Sequence, residues 1–523
     1  MANTIASVVL GGFLVLLVYL YNLLVLKPKN LRAKLQRQGI RGPSPSFLVG
    51  NIPDMERILQ HRRLTHSTPT TATEDYPTAI SGDWPSIVFP YLEEWKNEYA
   101  GPVFLYSTGI IQQLYITDAE MVKEICLCTS LNLGKPSYLS KDRGPLLGRG
   151  IFSSNGPIWV HQRKTIAPEF YVEKVKSMVK LMVESTTSML TTWERRFEDE
   201  AGGIADINVD DDLRGLSADI ISRACFRSGY SQGEEIFLKL KTLQGLMSKR
   251  SIGVPGSRFL PTKMNRAIWK NEKKINSMIL KVVKQQTESS HEKDLLQMIL
   301  EGAKSNKYDN DGRPIKIPWE EFMVDNCKSI YFAGHETTAT TASWALMLLA
   351  AHPDWQARAR AEVLEICGDR PPDANMLRNM KTLTMVIHET LRLFPPTVFV
   401  VRTALEDIEF KGIMIPKGMN MQIPIPILHR DRDLWGPDAH KFDPERFAHG
   451  IVGACKTPQA YMPFGVGSRV CAGQHFAMTE LKVILSLVLS KFCFSLSPAY
   501  RHSPVFRLVI VPENGVCLRL WTA

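Results

Sequence analysis

The chain has 523 residues, 44% apolar and 22% charged, with a net charge of +10, so its length alone allows about three domains of ~150 residues around ordinary globular cores. Its nine cysteines stand mostly inside apolar runs such as Ile125-Cys126-Leu127-Cys128, without a CxxC pair; this excludes a disulfide scaffold and suits a reducing compartment. The basic charge comes without zinc-finger spacing or an RNP-like box, which argues against nucleic acid and for an anionic membrane surface or an acidic redox partner.

Residues 5–26 carry no charge. As a helix rising ~1.5 Å per residue they span about 33 Å, matching a hydrocarbon core of ~30 Å. The run is longer than the apolar core of a signal peptide and leads straight into Lys27-Pro28-Lys29. Six basic residues (Lys27, Lys29, Arg32, Lys34, Arg37, Arg41) precede the first acid, Asp54, and none precedes the apolar run. The positive-inside rule then places the N-terminus in the lumen and the body in the cytosol, in a single pass. The chain thus divides into a membrane anchor (1–26), a basic and proline-rich hinge (27–50) and a body (51–523). In Gly39-Ile40-Arg41-Gly42-Pro43-Ser44-Pro45 the prolines remove amide donors, so this stretch cannot continue the helix.

Residues 66–83, rich in Ser, Thr and Pro, read as a surface loop, and 305–318 as a polar connection. Short β-like runs occur at 103–106, 113–117 and 506–511, and long helical runs at 178–197, 272–287, 325–351 and 375–394. No repeat or Gly/Ser linker divides the body. A single, mainly α unit with small β-sheets fits better than three domains.

Trp159 and Arg163, at i and i+4, are both hydrogen-bond donors and suit a carboxylate such as a haem propionate. Ala333-Gly334-His335-Glu336-Thr337-Thr338 puts an acid and two threonines in the middle of an apolar helix, where they cost free energy unless bonded. A threonine that bonds back one turn, beside Gly334, lets the helix open a notch. Thr337 could then donate a hydrogen bond within that notch while Glu336 passes protons inward; His335 falls off the Thr337 face. Glu389 and Arg392 share one helix face among apolar neighbours, with Arg446 in Phe442-Asp443-Pro444-Glu445-Arg446-Phe447 as a further partner. In Phe464-Gly465-Val466-Gly467-Ser468-Arg469-Val470-Cys471-Ala472-Gly473 a glycine-rich turn presents one cysteine. Such a turn aims amides at a thiolate bound to haem iron, Arg469 meets a propionate, and Gly473 lets the next helix lie close to the porphyrin.

With these motifs in this order, the chain resembles a cytochrome P-450 of the plant microsomal type. The resemblance implies the cytochrome P-450 fold, with haem b between the long central helix and the cysteine loop. Cys471 would be the axial ligand; Trp159, Arg163, Arg402 and Arg469 would surround the propionates, with Phe464, Gly465 and Gly473 shaping the loop. Glu389, Arg392 and Arg446 would form a structural triad, and Thr337 and Glu336 would serve catalysis. It further implies oxygen insertion from O2, with NADPH electrons from a separate reductase since no nucleotide-binding glycine motif is present, at the endoplasmic reticulum membrane. The Glu336-Thr337 pair argues against a haem-thiolate isomerase, and the complete motif set against a non-catalytic haem-binding protein. Segments 326–332, 131–134 and 255–263 are similar to the isoprenoid- and hormone-oxidising clan, nearest the gibberellin-oxidising family, some relatives of which act on other diterpenoids or on triterpenoids. Apolar walls are expected at 131–136, the Ala333 face, 397–401 and 497–504. Arg501 and His502 are the basic groups that could meet a substrate carboxylate.

Overall fold

The computed structural model describes residues 2–65, 82–198, 203–226, 230–289, 295–305 and 317–523. Most of the expected loop at 66–83, and 306–316 of the expected connection, lie outside the described residues.

The apolar helix Ala2–Tyr21 passes through a wide turn, Asn22–Leu26, into a second helix, Lys27–Gln36. The stretch Thr4–Gln36 is long and apolar enough to cross a membrane. Helix therefore continues ten residues into the basic segment. Pro28 lacks the N–H that an α ladder needs, and the wide turn just before it absorbs that loss. The proline stretch is pinned to the body. Arg32 donates to the carbonyls of Gly42 (2.8 Å) and Pro43 (2.7 Å), and the Leu105 amide donates to Arg41. A Cβ on Gly42 would lie 1.7 Å from the Leu105 carbonyl oxygen, so only glycine permits this approach. The N-terminal apolar helix thus meets the body through a docked connection.

A five-stranded sheet has the spatial order Val103–Thr108, Ile111–Ile116, Asn420–Pro424, Phe399–Ala404, Leu133–Gly134. Ile111–Ile116 runs parallel to Asn420–Pro424, and the other pairs are antiparallel. The register puts Gly134 opposite Thr403, which carries Lys135 alongside Arg402. Helices make up most of the rest. The central helix, Trp319–Ala351, is buried along most of its length. Around it pack a flanking helix (Val209–Phe226), a roof helix (Tyr230–Ser248), the helix Lys381–Leu393 and the C-terminal helix (Gln474–Lys491).

Two elements differ from the periodicity. The single helix expected at 375–394 is two, Ala374–Asn379 and Lys381–Leu393, broken at Met380. The carboxylate of Glu362 accepts the amides of Thr382 (2.7 Å) and Leu383 (2.9 Å), capping the second helix from a neighbouring one. The strand expected at 506–511 is a hairpin, Pro504–Phe506 against Ile510–Pro512, which turns through Leu508 at φ 70°.

Candidate functional site

The loop 464–473 turns on Gly465 (φ 68°) and Gly467 (φ 71°). A Cβ on Gly467 would also sit 1.9 Å from the Cys126 carbonyl oxygen, so space as well as angle demands glycine. The Cys471 amide donates to the Phe464 carbonyl at 2.8 Å, closing the loop. The Gly473 amide bonds to the Cys471 sulfur and the Arg163 charge acts on it; both lower its pKa, against the larger upward push of desolvation. Cys471 nevertheless presents accessible surface. A thiol that is both desolvated and accessible lines an internal space. A Cβ on Gly473 would meet no protein atom within 4 Å, so that side of the loop is open too.

Four cations gather at one edge of this loop. Arg163 donates to the Val470 carbonyl (2.7 Å), and Arg469 to the Ser154 carbonyl (2.9 Å) and Asn155 Oδ1 (3.1 Å). The Arg469 guanidinium lies 3.8 Å from the centre of the buried Trp159 ring. Arg402 bonds only the Val401 carbonyl among the described residues. The fourth cation is Lys135, which sequence reasoning missed; it became visible only when strand pairing brought it beside Arg402. Desolvation first, then Arg402 and Arg163, pushes Arg469 down to about 9; desolvation, Arg402 and Arg469 hold Lys135 well below the usual lysine range. Among the described residues none of the four has a carboxylate ion-pair partner. A buried cluster of like charge beside an accessible thiol calls for a dianionic group, and the two propionates of a haem match it. The donor set and the open face at Gly473 fit haem.

The central helix shows accessible surface at Ala333, and partial exposure at Phe332, Gly334 and Thr337, in a stretch where His335, Glu336 and residues 338–340 are buried. The helix remains α throughout, so the space lies beside it and the expected opening of its ladder is not seen. Thr337 Oγ1 donates to the Ala333 carbonyl (2.6 Å). Gly334 serves helix packing: a Cβ there would come 2.7 Å from Ile221 of the flanking helix. Glu336 is buried against the flanking and roof helices. Its Oε1 accepts from Arg214 (3.4 Å) and from Gln244 of the roof helix (3.3 Å), while Oε2 is buried without a hydrogen-bond partner. Gln244 also donates to the Arg507 carbonyl (2.9 Å), tying the roof to the C-terminal hairpin. His335 packs on Phe237 and is pushed down to about 4 by burial.

Glu480 is a second buried acid missed in the sequence. Ser217 Oγ lies 2.8 Å from Glu480 Oε1 and 3.3 Å from the Gly334 carbonyl. Both oxygens accept from the Ser217 hydroxyl, the carboxyl at the shorter distance. Desolvation outweighs the bonds from Ser217 and Thr338 and pushes Glu480 up to about 8.

Glu389 and Arg392 are fully buried and joined by two bonds, of 2.6 and 2.7 Å. Arg392 spends its remaining hydrogens on the carbonyls of His429, Ala439 and Lys441. Glu389 Oε1 also accepts the Asp443 amide (2.8 Å), while Arg446 stands at 3.8 Å and bonds the Trp435 and Asp438 carbonyls.

The C-terminal expectation needs correction. Ser497 and Tyr500 are buried, and Arg501 is exposed and bonds the Pro498 and Tyr500 carbonyls. His502 packs against Trp344 and Phe394 and is pushed down to about 4, so it offers no cation. The hairpin beyond it makes the approach to the central helix, with Trp344 Nε1 donating to the Ile510 carbonyl (3.1 Å).

The family model for Cytochrome P450 matches residues 85–518, and the chain belongs to that family: it is a haem-dependent monooxygenase that receives NADPH electrons through a reductase. It is 55% identical to Cytochrome P450 714C2 of Oryza sativa subsp. japonica, over 96% of this chain and 94% of that one. It is 47% identical to Cytochrome P450 714B3 of Zea mays (97% and 93% covered) and 43% identical to Cytochrome P450 714A2 of Arabidopsis thaliana (99% and 98% covered). These likenesses place it in the 714 group of cytochromes P450.

Proposed function

We propose that this monooxygenase oxidises a rigid carboxylated isoprenoid, a gibberellin or a related diterpenoid acid, by hydroxylation or epoxidation. Its place is the endoplasmic reticulum membrane, with the N-terminus lumenal and the body cytosolic. The observation that carries the site is an accessible, desolvated Cys471 thiol beside cations that have no carboxylate partner among the described residues; the accessible Ala333–Thr337 surface of the central helix would close the site from the other side. The diterpenoid reading rests on the likeness of segments 326–332, 131–134 and 255–263 to the gibberellin-oxidising family.

In this reading Cys471, its sulfur bonded by the Gly473 amide and acted on by the Arg163 charge, would hold the haem iron. Arg163, Arg402, Arg469 and Lys135, with the Trp159 ring against Arg469, would hold the propionates. Bound haem supplies oxygen activation and insertion at an unactivated C–H bond or an alkene. Thr337 turns its hydroxyl from the Ala333 carbonyl into the cavity, and Glu336, whose Oε2 is buried without a hydrogen-bond partner, relays protons inward. Glu389, Arg392 and Arg446 lock the fold beneath and take no chemical part.

The test is incubation of microsomes containing the protein and a reductase with a panel of terpenoid acids, read by mass spectrometry. A product 16 mass units above a gibberellin or kaurane-type acid is expected. Turnover of a pentacyclic triterpenoid with no diterpenoid product would move the substrate class to triterpenoids.

A further inference from the structure

A second pair of buried arginines stands apart from the cysteine loop. Arg143 and Arg250 are only 7% and 6% exposed. Arg143 lies just before the helix Gly144–Leu147, and Arg250 just beyond the roof helix. They meet at Met247, whose carbonyl accepts both an Arg143 guanidinium hydrogen and the Arg250 amide. Arg143 Nε and Arg250 Nη2 are buried without a hydrogen-bond partner. Neither guanidinium has an ion-pair partner among the described residues. Asp142 acts on both, but its Oδ2 accepts the Gly253 amide (3.3 Å). Arg258 adds positive charge around Arg250, and Glu272, which also feels Lys328 and Asp325, offsets it. A buried guanidinium left with a bare donor costs free energy unless an acceptor arrives.

The position relates to the reacting centre. Leu147, one turn beyond Arg143, accepts a hydrogen bond from Ser329 of the central helix (3.0 Å). From Ser329 to Thr337 that helix rises about 12 Å. A rigid fused-ring acid held at one end by the arginines would therefore lie along the helix with its other end near Thr337.

We propose that Arg143 and Arg250 form a carboxylate-binding subsite that anchors the acid group of the substrate. The inference rests on the substrate reading above, and it replaces Arg501 and His502 as the source of the cation. The guanidinium fork suits a carboxylate better than a neutral ester.

The experiment uses the full-length haem protein and follows the spin-state shift of the haem spectrum. Titrants are a gibberellin acid, a pentacyclic triterpenoid acid and the methyl ester of each. The wild type should bind an acid on the order of 10–100-fold more tightly than its ester, the worth of a charged hydrogen bond. Arg143→Gln and Arg250→Gln should each lose that preference while binding the ester as the wild type does. The thiolate-type band of the reduced, CO-bound protein reports whether a variant is folded. Should a glutamine variant lose that band, Arg143→Lys and Arg250→Lys, which keep the charge and lose the fork, should weaken acid but not ester binding.

Equal wild-type affinity for acid and ester, or variants that keep the preference, overturns the subsite; a response to the gibberellin would then leave the substrate reading standing. A preference seen only with the triterpenoid acid, and lost in the variants, supports the subsite and overturns the diterpenoid reading. No response to any acid overturns both.

Discussion

Replacing Glu389 with alanine removes the carboxylate facing a guanidinium that has no access to water. In the wild type Arg392 gives two hydrogens to Glu389 and the rest to three backbone carbonyls. The substitution leaves those carbonyl bonds in place, leaves the charge uncompensated and strips the Asp443 amide of its acceptor. Arg446, at 3.8 Å from Glu389, is a second cation and makes the repulsion worse. Breaking a buried pair of this kind costs ~3–5 kcal/mol, a large share of the ~5–15 kcal/mol that holds a domain folded. The assay is a urea titration of the membrane-extracted protein, following the thiolate-type band of its reduced, CO-bound form. Glu389→Ala should lose that band at much lower urea or never acquire it. Arg392→Ala should be similarly damaging, and the double variant should be less damaging than the two losses summed, because each partner is a liability only while the other is missing. A single-variant loss below ~1 kcal/mol would refute the reasoning, since that is what a solvent-screened surface pair contributes.

Further outcomes follow from the site. Cys471→Ser should abolish the thiolate-type band, while Cys455→Ser, at a buried cysteine bonding the Thr457 carbonyl, should keep it; the reverse pattern would reassign the ligand. Thr337→Ala should retain haem and substrate binding but divert NADPH electrons to hydrogen peroxide; unchanged product per NADPH would make Thr337 structural only. Glu480 has a folded pKa of about 8, above the ordinary 4.5, so the folded state favours its proton. Stability from this group is complete below the unfolded pKa and is lost as pH rises toward 8, with an upper limit of ~5 kcal/mol. Glu480→Gln should therefore match the wild type near pH 5 and exceed it near pH 8.5 in urea midpoint; parallel midpoints at both pH values would show an ionised Glu480.

The anchor, the largely helical body, the cysteine loop and the Glu389–Arg392 pair were legible in the sequence, because each depends on local chemistry. A long uncharged run, glycines at positive φ and an i, i+3 ion pair each carry their meaning within one short continuous stretch of chain. Tertiary structure decided the rest, through contacts between residues far apart in the chain. Strand pairing set Lys135 beside Arg402, and Glu362 split a helix whose periodicity ran unbroken. The approach of Ile221 gave Gly334 a packing role that its neighbours in sequence could not reveal. The meeting of two chain segments at Met247 buried Arg143 with Arg250, which linear order keeps more than a hundred residues apart. Burial and charge balance are sums over whatever the fold brings near, so they belong to the folded chain and to no single stretch of it.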